Sequence, residues 1–179
     1  MFIITVYMCL KMLRDVNEAQ AIGWGRDAAF FFGQVYVQEA SSLLPVAALI
    51  DALGEKKGLR LLDMAAAPGG KATALCAWLG AQGQGQGGAV VANEPNVARC
   101  KVLTENLLRS GSMPRAAVTQ MDGRDCGGRW PNCFDAVLLD APCSGESLTR
   151  KEGLQMLQHP PGYVEALQLN EKKMKRKTF

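Results

Sequence analysis

Histidine is almost missing from this chain, and what little there is stands alone: His159 is the only one in 179 residues. Six cysteines stand at 9, 76, 100, 126, 133 and 143, and no two form a C-x-x-C pair. These two shortages argue against a structural zinc site and against a His-dependent catalytic triad. A long apolar run is absent as well. Met1–Leu10 (MFIITVYMCL) is apolar but too short to span a bilayer, and it has neither a positive leading region nor a small-residue cleavage site. The expectation is free thiols in a reducing compartment. No charge of one sign dominates the body of the chain: residues 1–140 hold 13 Lys+Arg and 13 Asp+Glu, while 141–179 hold 7 and 4. The whole net charge of +3 thus lies in the last quarter, which excludes a uniformly basic scaffold and makes any nucleic-acid contact local. No period of 20 to 50 residues repeats, so a solenoid is excluded.

What is present describes one globular domain. With 48% hydrophobic and 21% charged residues the chain can bury a core. Residues 2–10 read as a strand or an ill-fitting leader, and 11–34 show no steady period. From Gln38 to Leu53 apolar residues recur at helical spacing, with Pro45 in the first turn and Gly54 at the end. Then apolar runs and helical stretches alternate. Leu59–Met64 leads through AAAPGGK into a helix ending near Leu79, and Ala89–Asn93 into a helix from Val97 to Arg109. Ala116–Gln120 and Phe134–Leu139 are the third and fourth runs. This alternation predicts an α/β fold with a doubly wound, mostly parallel sheet covered on both faces. Gly80–Gly88 reads as a flexible surface loop. After Asp140 no β-branched run remains, so the expectation is a sheet that stops after its fourth strand.

In such a sheet ligands bind beyond the carboxyl ends of the strands. Each run here ends in acidic or polar chemistry. Asp63 closes the first, followed by Ala65, Ala66, Ala67, Pro68, Gly69, Gly70 and Lys71, small residues that let a ligand approach a helix N-terminus. Glu94 follows the second, placed to accept hydrogen bonds from a ribose diol. Asp122 follows the third and Asp140 the fourth. Taken singly, Gly69-Gly70 reads as a plain strand-to-helix turn and Glu94 and Asp122 as caps or solvated loop carboxylates. Cys76 and Cys100 read as buried and inert, Cys126 and Cys133 carry no assigned role, and Lys172–Lys177 reads as a solvated tail. The joint register of four acids at one sheet edge is what sets them apart.

The most specific segment is Asp140-Ala141-Pro142-Cys143-Ser144-Gly145. It puts a carboxylate and a thiol three residues apart at a strand end. The thiol suits a nucleophile or a leaving-group assistant, and the carboxylate suits a pyrimidine edge.

Five stretches carry a resemblance: Tyr36–Leu49 (YVQEASSLLPVAAL), Leu62–Lys71 (LDMAAAPGGK), Val91–Glu94 (VANE), Asp122-Gly123-Arg124 and Phe134–Glu146 (FDAVLLDAPCSGE). In order and spacing they resemble the RsmB/NOP-type (Sun/Nop) family of RNA cytosine-5 methyltransferases, most similarly its bacterial RsmF-type small-subunit rRNA enzymes. The resemblance spans about residues 33–152, leaving 1–32 as an unaligned segment and 153–179 as a divergent polar and basic tail. It implies a Rossmann-like methyltransferase fold with S-adenosyl-L-methionine as cofactor and RNA, rRNA ahead of tRNA, as partner. It implies no membrane and no metal, and a cytoplasmic location, or a nuclear or nucleolar one in a eukaryote.

By the same resemblance, Ala65 to Lys71 wrap the methionine part, Glu94 holds the ribose hydroxyls and Asp122 sits by the adenine. Asp140 lies near the methyl donor and the target base. Cys143 corresponds to the cysteine that helps release the product. The family's usual nucleophile stands in a Thr-Cys motif further on, and no cysteine follows Cys143 here. The expectation is therefore a chain carrying the cofactor half of the enzyme, with self-association through an unpaired sheet edge. Two other readings stand beside it: a non-catalytic remnant that binds S-adenosylmethionine or RNA, and a nicotinamide-dependent dehydrogenase. The last is disfavoured because APGGK is not G-x-G-x-x-G.

Overall fold

The computed structural model describes residues 28–38, 40–83 and 87–140. The expected strand or leader at 2–10, the centre of the glycine loop, Cys143 and its motif, and the tail from 153 lie outside the described residues. Four strands are present: β1 (Arg60–Asp63), β2 (Ala89–Asn93), β3 (Ala116–Thr119) and β4 (Ala136–Leu138). The helices are α1 (Ala28–Phe31), α2 (Leu44–Leu53), α3 (Gly70–Ala81), α4 (Val97–Arg109) and α5 (Cys126–Arg129). A 3-10 turn at Ala40–Leu43 leads into α2, whose first turn accepts Pro45 because its missing N–H has no partner there anyway. The segment 11–34, which shows no steady period, contains α1; four residues are too few to show a helical period.

All strand pairs are parallel, in the order β3-β2-β1-β4. The chain winds outward from β1 to β3 through α3 and α4, then returns past both strands to place β4 on the other side of β1. The order reverses between β1 and β4, the place beyond whose carboxyl ends ligands sit in open α/β sheets. Side chains alternate across the sheet. Leu61, Val90 and Ala92 face α2, α3 and α4 with Val46, Leu75, Leu79, Leu103 and Leu107. Leu62 faces the opposite side with Met64 and Cys126, under Trp130 and Phe134. Burying one such leucine contributes roughly 1.5–3 kcal/mol, so the larger face holds the sheet to its helices. The fourth strand is shorter than the expected Phe134–Leu139: Phe134 instead packs edge-on against Trp130, centroids 5.7 Å apart. Of the thiols, Cys76 and Cys126 are buried, but Cys100 is only half-buried, since it lies at the border of α4's exposed face.

Candidate functional site

The carboxyl ends of the strands are joined by one side chain. Asn93, fully buried at the end of β2, donates from Nδ2 to the Met64 carbonyl (3.1 Å) and the Met121 carbonyl (2.9 Å). Its Oδ1 accepts from Thr119 Oγ1 (3.0 Å) and from the Met121 N–H (3.1 Å). Both donors and both acceptor positions of the amide are used, so the ends of β1, β2 and β3 are fixed relative to one another. The loop after β1 is fixed too. The Met64 N–H donates to the Leu138 carbonyl of β4 (3.0 Å), and the Ala66 N–H to the Asn93 carbonyl (2.8 Å). The Ala67–Pro68 peptide is cis, and Gly69 turns into α3 at φ 114°, a left-handed conformation that favours glycine. The N-cap of α3 is Gly69, and no side chain caps the helix.

The sequence-predicted acids lie at this one edge, in different environments. Glu94 is 2% exposed. Its Oε1 accepts from the Asn96 N–H (3.0 Å), and its Oε2 stands 3.4 Å from Arg99 Nη2. Asp122 caps a 3-10 turn by accepting from the Arg124 N–H (2.9 Å), and it forms an ion pair with the Arg124 guanidinium. An open depression lined by Met121, Arg124, Asp125, Gly127, Gly128 and Arg129 lies alongside. Asp140, two residues beyond β4, is half exposed and pairs with Lys71 Nζ at 2.6 Å.

Asp63 departs from expectation. It lies under the loop and not on the rim of a concave site, fully buried, because the alternation along β1 turns it towards α3. Neither carboxylate oxygen has a well-formed hydrogen bond among the described residues, the Ala65 N–H being the donor beside it. Burial pushes its pKa up to about 7, with Lys71 opposing and Asp140 adding to the rise. Burial also pushes the neighbouring Cys76 thiol up to about 12, which leaves it unreactive.

Five contributing residues were not foreseen from sequence. Asn93 reads in sequence as the last residue of a strand. Tyr36 and Gln38 lie against Gly70, where a Cβ would meet Gln38 Oε1 at 2.2 Å and Tyr36 Cε1 at 3.2 Å, so an aromatic and an amide cover the start of α3. Arg99 and Asn106 of α4 donate to the carbonyls of Ala67 (2.9 Å) and Pro68 (2.8 Å). The only advance signal was their spacing of seven on one helix.

A parallel sheet that reverses order beside β1, a small-residue loop entering a helix, and an acid at the end of β2 together define the S-adenosylmethionine-dependent methyltransferase fold. Solved structures agree. The chain is similar to NSun6 from Pyrococcus horikoshii with SFG, an S-adenosylmethionine analogue (TM-score 0.69, 25% identity, 86% of this chain and 36% of that one). It is also similar to a methyltransferase homologue from Pyrococcus horikoshii (TM-score 0.65, 28% identity, 84% and 43%).

The model of the 16S rRNA methyltransferase RsmB/F family matches residues 50–176, and the chain belongs to that family. Ribosomal RNA small subunit methyltransferase F of Erwinia tasmaniensis is 48% identical over 136 residues, which cover 76% of this chain and 27% of the relative. The protein of the same name from Salmonella paratyphi B is 45% identical over the same shares. The chain thus spans about a quarter of the length of these curated relatives. No helix among the described residues is long and apolar enough to cross a membrane.

Proposed function

We propose that this chain carries the S-adenosylmethionine site of an rRNA cytosine-5 methyltransferase acting in the cytoplasm. The observation that carries the reading is the reversal of strand order between β1 and β4, with the Ala65–Lys71 loop, Glu94, Asp122 and Asp140 along one sheet edge. The residues suit this cofactor. It is cationic at its sulfonium and ammonium, and Glu94, Asp122 and Asp140 stand at the edge. When bound, the cofactor supplies an electrophilic methyl group. Ala65, Ala66 and Ala67 leave room for its methionine part, and the opening N–H groups of α3 face its carboxylate. Glu94 accepts from the ribose hydroxyls, and Asp122 lies on the adenine side. Asp140 hydrogen-bonds the amidine edge of a cytosine taken out of its stack. Cys143, three residues on in sequence, assists the adduct's release.

Calorimetric titration of S-adenosylmethionine into the chain tests the site. Glu94→Ala is expected to weaken binding roughly 10- to 150-fold, the worth of a charge-assisted contact of about 1.5–3 kcal/mol. Equal affinity in the variant and the unaltered chain would remove Glu94 from the site. RNA containing 5-azacytidine then tests catalysis: a covalent protein–RNA adduct supports turnover by this chain, and its absence with cofactor binding intact favours a non-catalytic binding module.

Self-association through β4 belongs to the same proposal. Among the described residues β4 pairs on one side only, with β1. An apolar strand edge of this kind recruits further strands. Sedimentation showing a concentration-independent monomer would overturn this part.

A further inference from the structure

Four residues at helical spacing line the side of α4 that faces the cofactor loop. The N-cap Asn96 accepts from the Arg99 N–H (3.1 Å) and so fixes where the helix starts. Arg99 Nη2 then donates to the Ala67 carbonyl at 2.9 Å while standing 3.4 Å from Glu94 Oε2. One turn on, Leu103 lies against Gly69, where an added Cβ would meet its Cδ1 at 3.2 Å. Asn106 Nδ2 donates to the Pro68 carbonyl at 2.8 Å, and Asn106 Oδ1 accepts from Arg109 Nη2 at 2.9 Å. Three consecutive loop residues, Ala67, Pro68 and Gly69, are each met by a different side chain of the same helix.

These contacts are unequal in kind. Asn106 touches the loop but not Glu94. Arg99 touches both, through a single nitrogen. Glu94 is a buried carboxylate, and besides the Asn96 N–H its charge is met, among the described residues, by Arg99. A buried carboxylate deprived of its cation turns towards water or takes up a proton. The Ala67 carbonyl would lose a charge-assisted donor in the same event.

We propose that Arg99 and Asn106 are positioning residues for the cofactor. Arg99 holds the loop at its working distance from the Glu94 carboxylate, and Asn106 holds the loop alone. This rests on the cofactor site proposed above. Preorganisation of this kind raises affinity by removing the ordering cost from the binding step.

The experiment compares two ligands on the full 179-residue chain by calorimetry. S-adenosylhomocysteine carries both the nucleoside and the amino-acid end, whereas 5′-methylthioadenosine keeps the ribose diol and lacks the amino acid. Arg99→Ala is expected to weaken both, S-adenosylhomocysteine by more, on the order of tenfold or beyond. Asn106→Ala is expected to weaken S-adenosylhomocysteine severalfold and to leave 5′-methylthioadenosine within twofold. Arg99→Lys, which keeps a cation beside Glu94, is expected to recover part of the loss. Thermal melting without ligand accompanies each variant. If Arg99→Ala does not fold, Asn106→Ala and Arg99→Lys carry the comparison. Unchanged S-adenosylhomocysteine affinity in the folded Arg99 and Asn106 variants overturns the inference, as do equal losses for the two ligands. Failure of the unaltered chain to bind either ligand overturns the cofactor site itself, and the inference with it.

Discussion

Lys71 and Asp140 meet beside the point where the strand order reverses: Nζ of Lys71, in the first turn of α3, lies 2.6 Å from Oδ2 of Asp140, two residues beyond β4. The pair ties the start of α3 to the segment that leaves β4. Asp63 lies buried beneath, and its charge is lowered in cost by Lys71 and raised in cost by Asp140.

Stability should fall as pH rises from about 4 to about 7. Burial lifts the Asp63 pKa to about 7, well above the ordinary carboxylate value that it has when unfolded, so over this window the folded chain binds more protons than the unfolded one. Below the window both states are protonated, and above it the full cost of a buried charge is present. Asp63→Asn should be more stable than the unaltered chain at pH 8, and the gap should shrink by about 2 to 3 kcal/mol at pH 5. Lys71→Met should push Asp63 higher still and extend the decline to more alkaline pH. Urea unfolding at a series of pH values checks both, and a pH-independent gap would refute the assignment to Asp63.

Asn93→Asp should be worse than Asn93→Ala. The new oxygen would face the Met64 and Met121 carbonyls where Nδ2 now donates, setting a buried charge against two acceptors. The alanine variant leaves the same carbonyls unsatisfied at a cost of roughly 2–4 kcal/mol. Chemical denaturation at pH 7 should rank aspartate below alanine, with the difference narrowing towards pH 4 as the carboxyl protonates. Equal stabilities at pH 7 would contradict the hydrogen-bond pattern.

Two glycines share a positive φ but not an environment. Gly33 has φ 68° and an added Cβ would lie 1.5 Å from the Arg109 carbonyl oxygen, whereas Gly54 has φ 61° and nothing within 4 Å. Gly54→Ala should cost about 1–3 kcal/mol from backbone strain alone, because φ 61° with ψ −138° is a combination that few residues other than glycine adopt. Gly33→Ala should cost several kcal/mol, because α1 must also leave the end of α4. Melting temperatures of the two variants test this, and similar values would mean that the Gly33 contact is not made in solution.

Thiol alkylation should sort the described cysteines by environment. Cys76, buried and pushed up to about 12, and Cys126, buried with its thiol also raised, should resist iodoacetamide at pH 8. Cys133 and Cys100, half-buried, should react first. Mass spectrometry of partly labelled chain gives the order, and early labelling of Cys76 would argue against the packing of α3 on β1.

Much of this fold was legible in the residues, for reasons that differ by element. Ala89–Asn93 and Val97–Arg109 are observed as expected, because an apolar β-branched run, a capping asparagine and a long amphipathic helix each carry a local signal. The register of acids followed from parallel topology alone. Strand order did not, since nothing local to Phe134–Leu139 tells whether it pairs beside β3 or β1. The ion pairs were hidden for a related reason. Arg99 reaches back to Glu94 and Ala67 only once α4 has packed on the sheet, and the contact of Gln38 with Gly70 joins segments with a strand between them. The burial of Asp63 ran against its chemistry: a carboxylate at a strand end reads as ligand-facing, but the pleat turned it inward.

The clasp between β1 and β4 gives the chain an order of assembly. Arg60 and Asp135, 75 residues apart, are joined by two hydrogen bonds, one between backbones from the Asp135 N–H to the Arg60 carbonyl at 2.8 Å and one from the Arg60 N–H to the side-chain Oδ2 of Asp135 at 2.7 Å. Closing a loop of that length is entropically dearer than joining β1 to β2 or β2 to β3, whose intervening segments are far shorter. On a ribosome the first three strands emerge and can pair before β4 exists. The reversal of strand order is then the last thing to form, and a nascent chain lacking residues 134–140 would hold a sheet without it. Pulse-labelled hydrogen exchange during refolding should find the amides of β2 protected before those of β4; simultaneous protection would show that the sheet closes in one step.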